Sequence, residues 1–394
     1  MTAPSEDRAL YAYIWDLVEE DPSRLGAELR DIGLNTLTIA ASYHAGKFLR
    51  PHGKSGKTVF PQDGVAHCRV HPNKYSEITP LVSDLATDED TFGQMCSRSG
   101  MAIAAWTVLL HNSRLGALHP GSVTRTAFGD PLHYSLCPSS PAVRDYAATL
   151  CADIAESYPI SALVLETPGW LPYRHGYHHE FTLLGESPRL EFYLGLCFCA
   201  NCTKNAQAAE IDVEGLRGRI RDRVSEDLAA ADEPFAPTDR LWLEHELLTD
   251  PDLAAFLRWR MEVVTSLVAR IRAAVRADAQ VRIIPSVNQP LALSWIEGSD
   301  LAGLDTASDG LEVCYYGAPG APTRTDHAAL ARRIGHPDMH AVLRPTSAEH
   351  REATGFIATV RDLAAAGVRD FGFYNYGHMR RSGLDRIGQA LRAI

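Results

Sequence analysis

Eight short β-rich runs recur along the sequence, and stretches with helical spacing of apolar residues separate them. The runs cover residues 10–15, 36–43, 102–111, 162–166, 282–287, 311–316, 341–344 and 371–376. Most of them are almost continuously apolar rather than alternating, which is typical of parallel strands that are buried on both faces. Amphipathic helical stretches lie between them, most clearly at residues 23–32, 141–157, 256–278 and 356–366.

This alternation predicts an α/β fold of the (β/α)₈ TIM-barrel type. The last helical stretch is followed by Gly367 and then by the eighth run, which is the helix–turn–strand order of a repeating β/α unit. A doubly wound open sheet is the structural alternative, but no glycine-rich phosphate-binding sequence follows any of the runs. We therefore predict a single barrel domain over residues 1–394.

Three connections are longer than a barrel requires, namely residues 44–75, 112–136 and 170–250. Each of them follows a predicted strand, so all three extend from the C-terminal face, where barrel enzymes build their active sites. We predict that residues 171–250 form a helical insertion within the barrel.

Charge and hydropathy exclude several classes of partner. The 38 basic and 49 acidic residues give a net charge of −11, which argues against nucleic acid as the main partner. The longest apolar run, residues 102–110, is shorter than the roughly 20 residues that a membrane span needs, so we expect no membrane partner. The first residues lack the pattern of a signal peptide, and we expect a cytoplasmic protein that can form homo-oligomers.

Three of the eight cysteines are clustered, at Cys197, Cys199 and Cys202. In a reducing compartment, three thiolates at this spacing indicate a metal site rather than disulfides, and Zn²⁺ prefers four such ligands. Cys137 is the best candidate for the fourth ligand. A site closed by four cysteines is structural rather than catalytic. The alternative is a set of unrelated buried or free cysteines.

Two of these segments resemble a known family. Residues 137–144, C-P-S-S-P-A-V-R, together with C-F-C-A-N-C at 197–202, are similar to the zinc-containing β-galactosidases of glycoside hydrolase family 42. The resemblance implies a (β/α)₈ barrel, a structural zinc held by the four cysteines and an acid/base glutamate at Glu166. The chain departs from the family in two places: Leu165 replaces the Asn before that glutamate, and Arg344 stands where the family has its nucleophile. We expect a divergent relative without galactosidase activity.

Glu166 is the strongest catalytic candidate, because it ends an apolar strand at the predicted C-terminal face. Partial burial there would raise its pKa, and a protonated carboxyl at neutral pH is what a general acid needs. The alternative is a helix-capping or salt-bridged residue. A second carboxylate is less clear, and Glu312 and Glu180 are the candidates. A tyrosine nucleophile or a neighbouring group of the substrate would replace it if neither serves.

Aromatic, amide and basic residues recur at the predicted strand ends, which suits recognition of a sugar-like molecule. Arginines in this set could bind a carboxylate or phosphate on an acidic sugar, or pair with local carboxylates. His175, His178, His179 and Glu180 resemble a metal box, although substrate-facing or structural roles fit their spacing better. The candidate substrate-binding residues are Tyr43, His44, Arg50, His111, Asn112, Arg114, Trp170, Tyr316, Arg344, Tyr374, Asn375, Tyr376 and His378.

These observations predict a zinc-stabilised glycoside hydrolase-like enzyme that acts on a small carbohydrate-like molecule, with Glu166 as general acid/base. Two alternatives stay open at this point. One is a lyase or isomerase that acts on a sugar or cyclitol without hydrolysis, and the other is a catalytically silent carbohydrate-binding barrel. Release of phenol from aryl glycosides separates hydrolysis from both.

Overall fold

The computed structural model describes residues 6–87, 90–176, 184, 187–232, 235–287, 290–337, 339–346 and 350–394. Eight parallel strands pair in chain order around a barrel. They are β1 (Arg8–Ala12), β2 (Thr36–Tyr43), β3 (Ala102–Val108), β4 (Ala162–Glu166), β5 (Gln280–Ile283), β6 (Glu312–Cys314), β7 (His340–Leu343) and β8 (Asp370–Phe373). A parallel bridge between Ile283 and Leu311 closes the ring between β5 and β6. The predicted (β/α)₈ fold is therefore confirmed.

One main helix follows each strand and packs on the outside of the barrel. These are α1 (Pro22–Asp31), α2 (Thr91–Arg98), α3 (Pro141–Ser157), α4 (Pro251–Ala274), α5 (Leu301–Ala307), α6 (Ala321–Ile334), α7 (Ala353–Ala365) and α8 (Arg381–Leu391). The starts of α1 and α4 show why helices begin at these points. Asp21 and Asp250 accept hydrogen bonds from the amides of Arg24 and Leu253, and a proline occupies the first turn. Of the helices among the described residues, none has the length and apolar character to cross a membrane.

The remaining elements lie in the connections that follow the strands. Short helices and strands after β1, β2 and β3 comprise Ile14–Leu17, Phe48–Leu49, Thr58–Val59, Val65–Ala66, Pro72–Lys74, Leu81–Val82, Asp84–Thr87, Ser113–Leu118, Val123–Arg125 and Pro131–Leu136. The connection after β4 holds four helices, Pro188–Leu194, Ala200–Ala208, Val213–Ala229 and Ala236–Thr249. Two 3₁₀ segments, Leu291–Glu297 and Tyr376–His378, follow β5 and β8. All these connections leave from the C-terminal ends of strands, at the end of the barrel that we call the mouth.

Several strands end earlier than the apolar runs that predicted them. The first run was predicted to reach residue 15, but β1 ends at Ala12 and a short helix, Ile14–Leu17, follows. Tyr13 and Trp15 are nevertheless buried, with 1% and 2% exposure. The apolar run continues past the end of the strand because these aromatic rings pack across the mouth. Buried residues are apolar whether or not they belong to a strand.

A buried charged network occupies the opposite, N-terminal end of the barrel. Arg282 on β5 donates to Asp7 at 2.6 Å, and His340 on β7 lies 3.6 Å from the carboxylate of Asp370 on β8. Buried charges of this kind are tolerated where they are paired.

Candidate active site and metal centre

Glu166 is the last residue of β4 and projects into the mouth. Its neighbour in the barrel wall is β3, where Val108 lies opposite Glu166 and Trp106 lies opposite Val164. The indole Nε1 of Trp106 donates a hydrogen bond of 2.7 Å to Oε2 of Glu166. Burial raises the pKa of the Glu166 carboxyl to about 7, although the Trp106 hydrogen bond acts in the opposite direction. Near neutral pH, the side chain is therefore present both as the neutral acid and as the carboxylate.

Three tyrosines from three strand ends flank this carboxyl group, and we call them the phenol cluster: Tyr13, Tyr43 and Tyr374. The hydroxyl of Tyr13 lies 3.2 Å from that of Tyr43, 2.7 Å from that of Tyr374 and 3.2 Å from Nε2 of His378. Burial raises the pKa of Tyr374 to about 12, and the nearby Glu166 carboxylate adds to the effect. The phenols are therefore neutral hydrogen-bonding groups at physiological pH.

Glu312 lies below the mouth, in the interior of the barrel. It is 1% exposed, and the hydroxyl of Tyr11 donates to its Oε1. The ring of Tyr11 in turn packs edge-on against Trp106, with 5.3 Å between centroids. Tyr11 thus separates Glu312 from the Trp106–Glu166 pair. Burial raises the pKa of Glu312 to about 7 as well. The catalytic role of Glu312 stays a prediction.

Part of the predicted substrate-binding set does converge on the mouth. His44 stacks on Tyr43 and on His111, with centroid distances of 4.3 Å and 4.2 Å. On the other side of the barrel, the guanidinium of Arg344 lies 4.4 Å above the ring of Tyr316. The ring of Tyr316 lies 5.8 Å from that of Tyr374 in the phenol cluster. The structure therefore brings together Tyr43, His44, His111, Tyr316, Arg344, Tyr374 and His378.

The predicted arginines do not form one anion site. Arg50 is buried and forms ion pairs with Asp16 at 3.3 Å and Glu19 at 3.5 Å. Arg114 is exposed on the short helix Ser113–Leu118. Arg344 is the member of the predicted trio that lies among the aromatic residues of the mouth. The sequence allowed these arginines either to bind an acidic substrate or to pair with local carboxylates. Arg50 pairs with local carboxylates.

Other predicted ligands hold the backbone in place. Asn112 caps the helix Ser113–Leu118 and donates to the carbonyl of Gly64 at 2.9 Å. Asn375 is completely buried and accepts from the amide of Gly377. Tyr376 stacks on His52 and donates to Glu20 at 3.2 Å, and Trp170 is 1% exposed. These contacts show how Asn112, Asn375 and Tyr376 are held around the site, and the substrate-binding role of the four residues stays a prediction.

Tyr11 and Tyr13 are the functional neighbours that the sequence reasoning missed. Both lie on or just after β1, where aromatic residues stand at positions 11, 13 and 15. This spacing of two places their side chains on one face of an extended chain, and that face turned out to be the barrel interior. An aromatic residue at every second position of a predicted barrel strand is the signal that could have identified them.

The predicted metal box after β4 is described in part. Glu180, His178 and His179 lie outside the described residues. His175 lies against His111 with 5.5 Å between ring centroids. Burial lowers the pKa of His175 to about 4, and the nearby His44 adds to the effect, so the ring is neutral at physiological pH.

The four cysteines predicted as metal ligands converge, and we call them the thiol cluster: Cys137, Cys197, Cys199 and Cys202. Their sulfur atoms all lie within 4.8 Å of one another, and all four residues are buried. The Sγ atom of Cys137 is 3.4 Å from that of Cys202 and 3.6 Å from that of Cys199. A tetrahedral site with Zn–S bonds of about 2.3 Å has edges of about 3.8 Å. The cluster therefore has the size and donor set of a tetrahedral thiolate metal site.

Elements distant in sequence position these thiols. Cys137 follows the hairpin strand Pro131–Leu136, and Cys202 lies in the first turn of the helix Ala200–Ala208. Phe198, between two of the cysteines, stacks on Phe256 of α4 at 5.5 Å. A bound ion would thus join the connection after β3, the insertion after β4 and the barrel helix α4. Among the described residues, this is the one group of at least three side chains that could hold a metal ion.

Comparison with solved structures gives TIM-barrel glycoside hydrolases. The PgaB (BpsB) glycoside hydrolase domain from Bordetella bronchiseptica aligns with a TM-score of 0.57 at 14% identity, over 99% of this chain and 98% of that domain. The β-galactosidase from the psychrophilic Marinomonas ef1 aligns with a TM-score of 0.57 at 10% identity, over 98% of this chain and 59% of that enzyme. The β-galactosidase from Bacillus circulans sp. alkalophilus gives 0.56 at 11% identity, over 99% and 56%.

These similarities establish the fold. The chain spans nearly all of the PgaB domain but little more than half of the two β-galactosidases. No protein-family model and no curated protein sequence matches the chain.

Proposed function

We propose that this protein is a glycoside hydrolase-like enzyme with Glu166 as its general acid/base. The observation that carries the proposal is a carboxyl group at the mouth of a (β/α)₈ barrel with a pKa of about 7. A group with this pKa can both donate and accept a proton near neutral pH. The glycoside hydrolases among the structural neighbours support the same reaction class.

Our proposal gives separate tasks to the two oxygens of Glu166. Trp106 donates to Oε2, so Oε1 is the atom that carries the transferable proton. In the proposed reaction, Oε1–H protonates the glycosidic oxygen while the bond from that oxygen to the anomeric carbon breaks. The resulting carboxylate then removes a proton from the incoming water. Burial supports the first step, because it favours the neutral carboxyl before the substrate binds.

A carbohydrate suits the rest of the mouth. Neutral phenols and imidazoles exchange hydrogen bonds with hydroxyl groups, and aromatic faces pack on the C–H faces of sugar rings. The phenol cluster, together with His44, His378 and Tyr316, provides both kinds of contact. Preference for an acidic sugar depends on Arg344, since it is the predicted arginine that lies among these aromatic residues.

The second catalytic role is not assigned to Glu312, because Tyr11 lies between this residue and the Trp106–Glu166 pair. The described groups that flank Glu166 are phenols rather than carboxylates. Our proposal therefore gives the role to Glu180, to the Tyr374 phenol or to a neighbouring group of the substrate. The anomeric configuration of the product, followed by NMR, separates single from double displacement.

We further propose that the thiol cluster binds one structural Zn²⁺ ion. Four buried sulfur donors would close its coordination sphere, so the ion would hold the loops around the mouth and take no part in the chemistry. Zinc is favoured over other divalent ions by the soft thiolate set and by the tetrahedral spacing of the sulfurs.

A panel of aryl glycosides tests the proposed reaction class. We expect release of the phenol from at least one neutral or acidic sugar, measured by absorbance. A sugar-dependent product that forms without phenol release would instead support the lyase or isomerase alternative. Binding of the same sugars in calorimetry without any turnover would support the silent carbohydrate-binding barrel and contradict the proposal.

The pH profile gives a second test. Because the pKa of Glu166 is raised to about 7, its acid form disappears as the pH rises through that value, and we expect kcat/KM to fall about tenfold per pH unit on the alkaline side. Glu312 has the same raised pKa but lies beneath Tyr11, so Glu312→Gln is the matched control. Its profile should keep the alkaline limb. Loss of the limb in Glu312→Gln would assign the titration to Glu312 and contradict the proposal.

A further inference from the structure

Arg260 is a buried cation whose charge the described carboxylates do not pair. It lies on α4 with 1% exposure, and its Nη2 donates to the carbonyl of Ile296 at 3.0 Å. The guanidinium carbon lies 4.6 Å from the ring centroid of Trp170. Among the described residues, Nε and Nη1 have no hydrogen-bond partner. Burial of a cation in this state is unfavourable unless a nearby anion offsets the loss of hydration.

The thiol cluster lies beside this guanidinium. Phe256, one helical turn before Arg260 on α4, stacks on Phe198, which stands between two of the cysteines. Burial lowers the pKa of Arg260 to about 10, and negative charge on Cys197, Cys202 and Cys137 acts in the opposite direction. The thiol cluster is therefore a source of negative charge that could offset the buried cation.

Glu297 is the other anion close to Arg260, but its effect is smaller than that of the three cysteines. The Glu297 carboxylate already accepts hydrogen bonds from the hydroxyl of Ser286 at 2.5 Å and from the amide of Val287 at 3.1 Å. Its charge is thus partly satisfied by these donors. Charge compensation of Arg260 by Glu297 would not depend on metal, whereas compensation by the thiol cluster would. A comparison of zinc-bound and metal-free protein therefore distinguishes the two.

Four thiolates around a divalent ion carry a net charge of about −2, and in a buried site that charge needs a compensating cation. We propose that Arg260 is the charge partner of the metal–thiolate cluster, so that the cation and the metal-bound thiolates stabilise each other in the protein interior. The inference rests on the proposed metal site and does not require the glycosidase activity. Without metal, Arg260 would lose the negative charge that the metal–thiolate cluster carries.

This arrangement would also connect the metal site to the active-site loop. Arg260 contacts the ring of Trp170, four residues after Glu166, and the carbonyl of Ile296. The amide of Trp170 donates to the carbonyl of Glu297 at 3.1 Å, which ties the two segments together. Arg260 is thus a positioning residue, through which an ion in the thiol cluster orders the connection that follows the general acid.

The test measures zinc binding by the full chain rather than activity. Zinc affinity is determined by competition with a chromophoric chelator for the unmodified protein, Arg260→Met and Arg260→Lys. Arg272→Met is the matched control, because Arg272 is a partly buried arginine on the same helix that pairs with Asp309 instead. We expect affinity to fall about 10- to 100-fold in Arg260→Met and to stay within about threefold in Arg260→Lys and Arg272→Met.

Thermal unfolding with and without metal provides the second readout. Arg260→Met should lower the midpoint clearly in the zinc-bound protein and have little effect, or raise the midpoint, after chelation. An equal decrease in the unfolding midpoint of the zinc-bound and the metal-free protein would show that Arg260 pairs with Glu297 or acts through packing alone. That result would overturn the inference. Unchanged zinc affinity in Arg260→Met would also overturn it. If Arg260→Met does not fold, the zinc affinity of Arg260→Lys is the test. This variant keeps the positive charge, so a loss of affinity above tenfold would show that the charge does not determine zinc binding and would overturn the inference. Failure of the unmodified protein to bind zinc would instead refute the proposed metal site.

Discussion

Glu166→Gln should reduce kcat by about 10²- to 10⁴-fold on glycosides whose leaving group needs protonation. The glutamine side chain has nearly the same shape, and its carbonyl oxygen can still accept the hydrogen bond from Trp106. It cannot donate a proton to the glycosidic oxygen. The loss should be much smaller on substrates with acidic phenols such as dinitrophenol, because these groups leave without protonation. Steady-state kinetics on two aryl glycosides that differ in the pKa of the phenol measure both effects.

Glu312→Gln is the control for this experiment. It makes the same chemical change in a carboxyl with the same raised pKa, one layer deeper in the barrel. We expect less than a tenfold change in kcat. Equal losses in the two variants would show that the effect is general disruption of the barrel interior. Unchanged turnover in Glu166→Gln would remove Glu166 from the mechanism.

Cys199→Ser should abolish metal binding and lower the free energy of unfolding by about 4 kcal/mol or more. Cys199 is buried in the thiol cluster, where loss of one sulfur leaves three donors and opens the coordination sphere. The connections after β3 and β4 then lose the ion that would join them. Metal analysis by plasma emission and denaturant unfolding report the two effects, and we expect about one zinc per chain in the unmodified protein.

Cys151→Ser provides the comparison, because Cys151 on α3 is equally buried but does not belong to the thiol cluster. This variant should keep its zinc and lose only the roughly 1–3 kcal/mol expected for a buried hydroxyl that replaces a thiol. Loss of stability without loss of metal in Cys199→Ser, or metal-free unmodified protein, would contradict the structural zinc site.

Local sequence patterns predicted the fold and the thiol cluster. Eight apolar runs between amphipathic helices predicted parallel strands that are buried on both faces, and the lack of a glycine-rich phosphate-binding sequence favoured a (β/α)₈ barrel over an open sheet. The C-x-C-x-x-C spacing at Cys197–Cys202 brings three sulfurs together within one turn, so their proximity hardly depends on the rest of the chain. The position of Glu166 at a strand end followed from the same pattern.

Side-chain direction and strand depth were decided by the tertiary structure. Glu312 is the first residue of β6 and Glu166 the last residue of β4, and the fold places Glu312 against Tyr11 and Glu166 against Trp106 at the mouth. Arg50 was predicted to contact the substrate, but the chain folds it onto Asp16 and Glu19. Such pairings join residues 31 to 34 positions apart, and no local pattern specifies them.

The sequence alone therefore determined which segments form strands and helices, that Cys197, Cys199 and Cys202 cluster and which glutamate ends a strand, because each of these depends on spacing within a short segment. The tertiary structure brings in Cys137, which lies 60 residues before Cys197. The tertiary structure decided which groups surround Glu166, since the phenol cluster joins Tyr13, Tyr43 and Tyr374 from opposite ends of the chain. The pKa of about 7 at Glu166 comes from that burial. Desolvation depends on everything packed around a group, and only closure of the barrel brings those residues together.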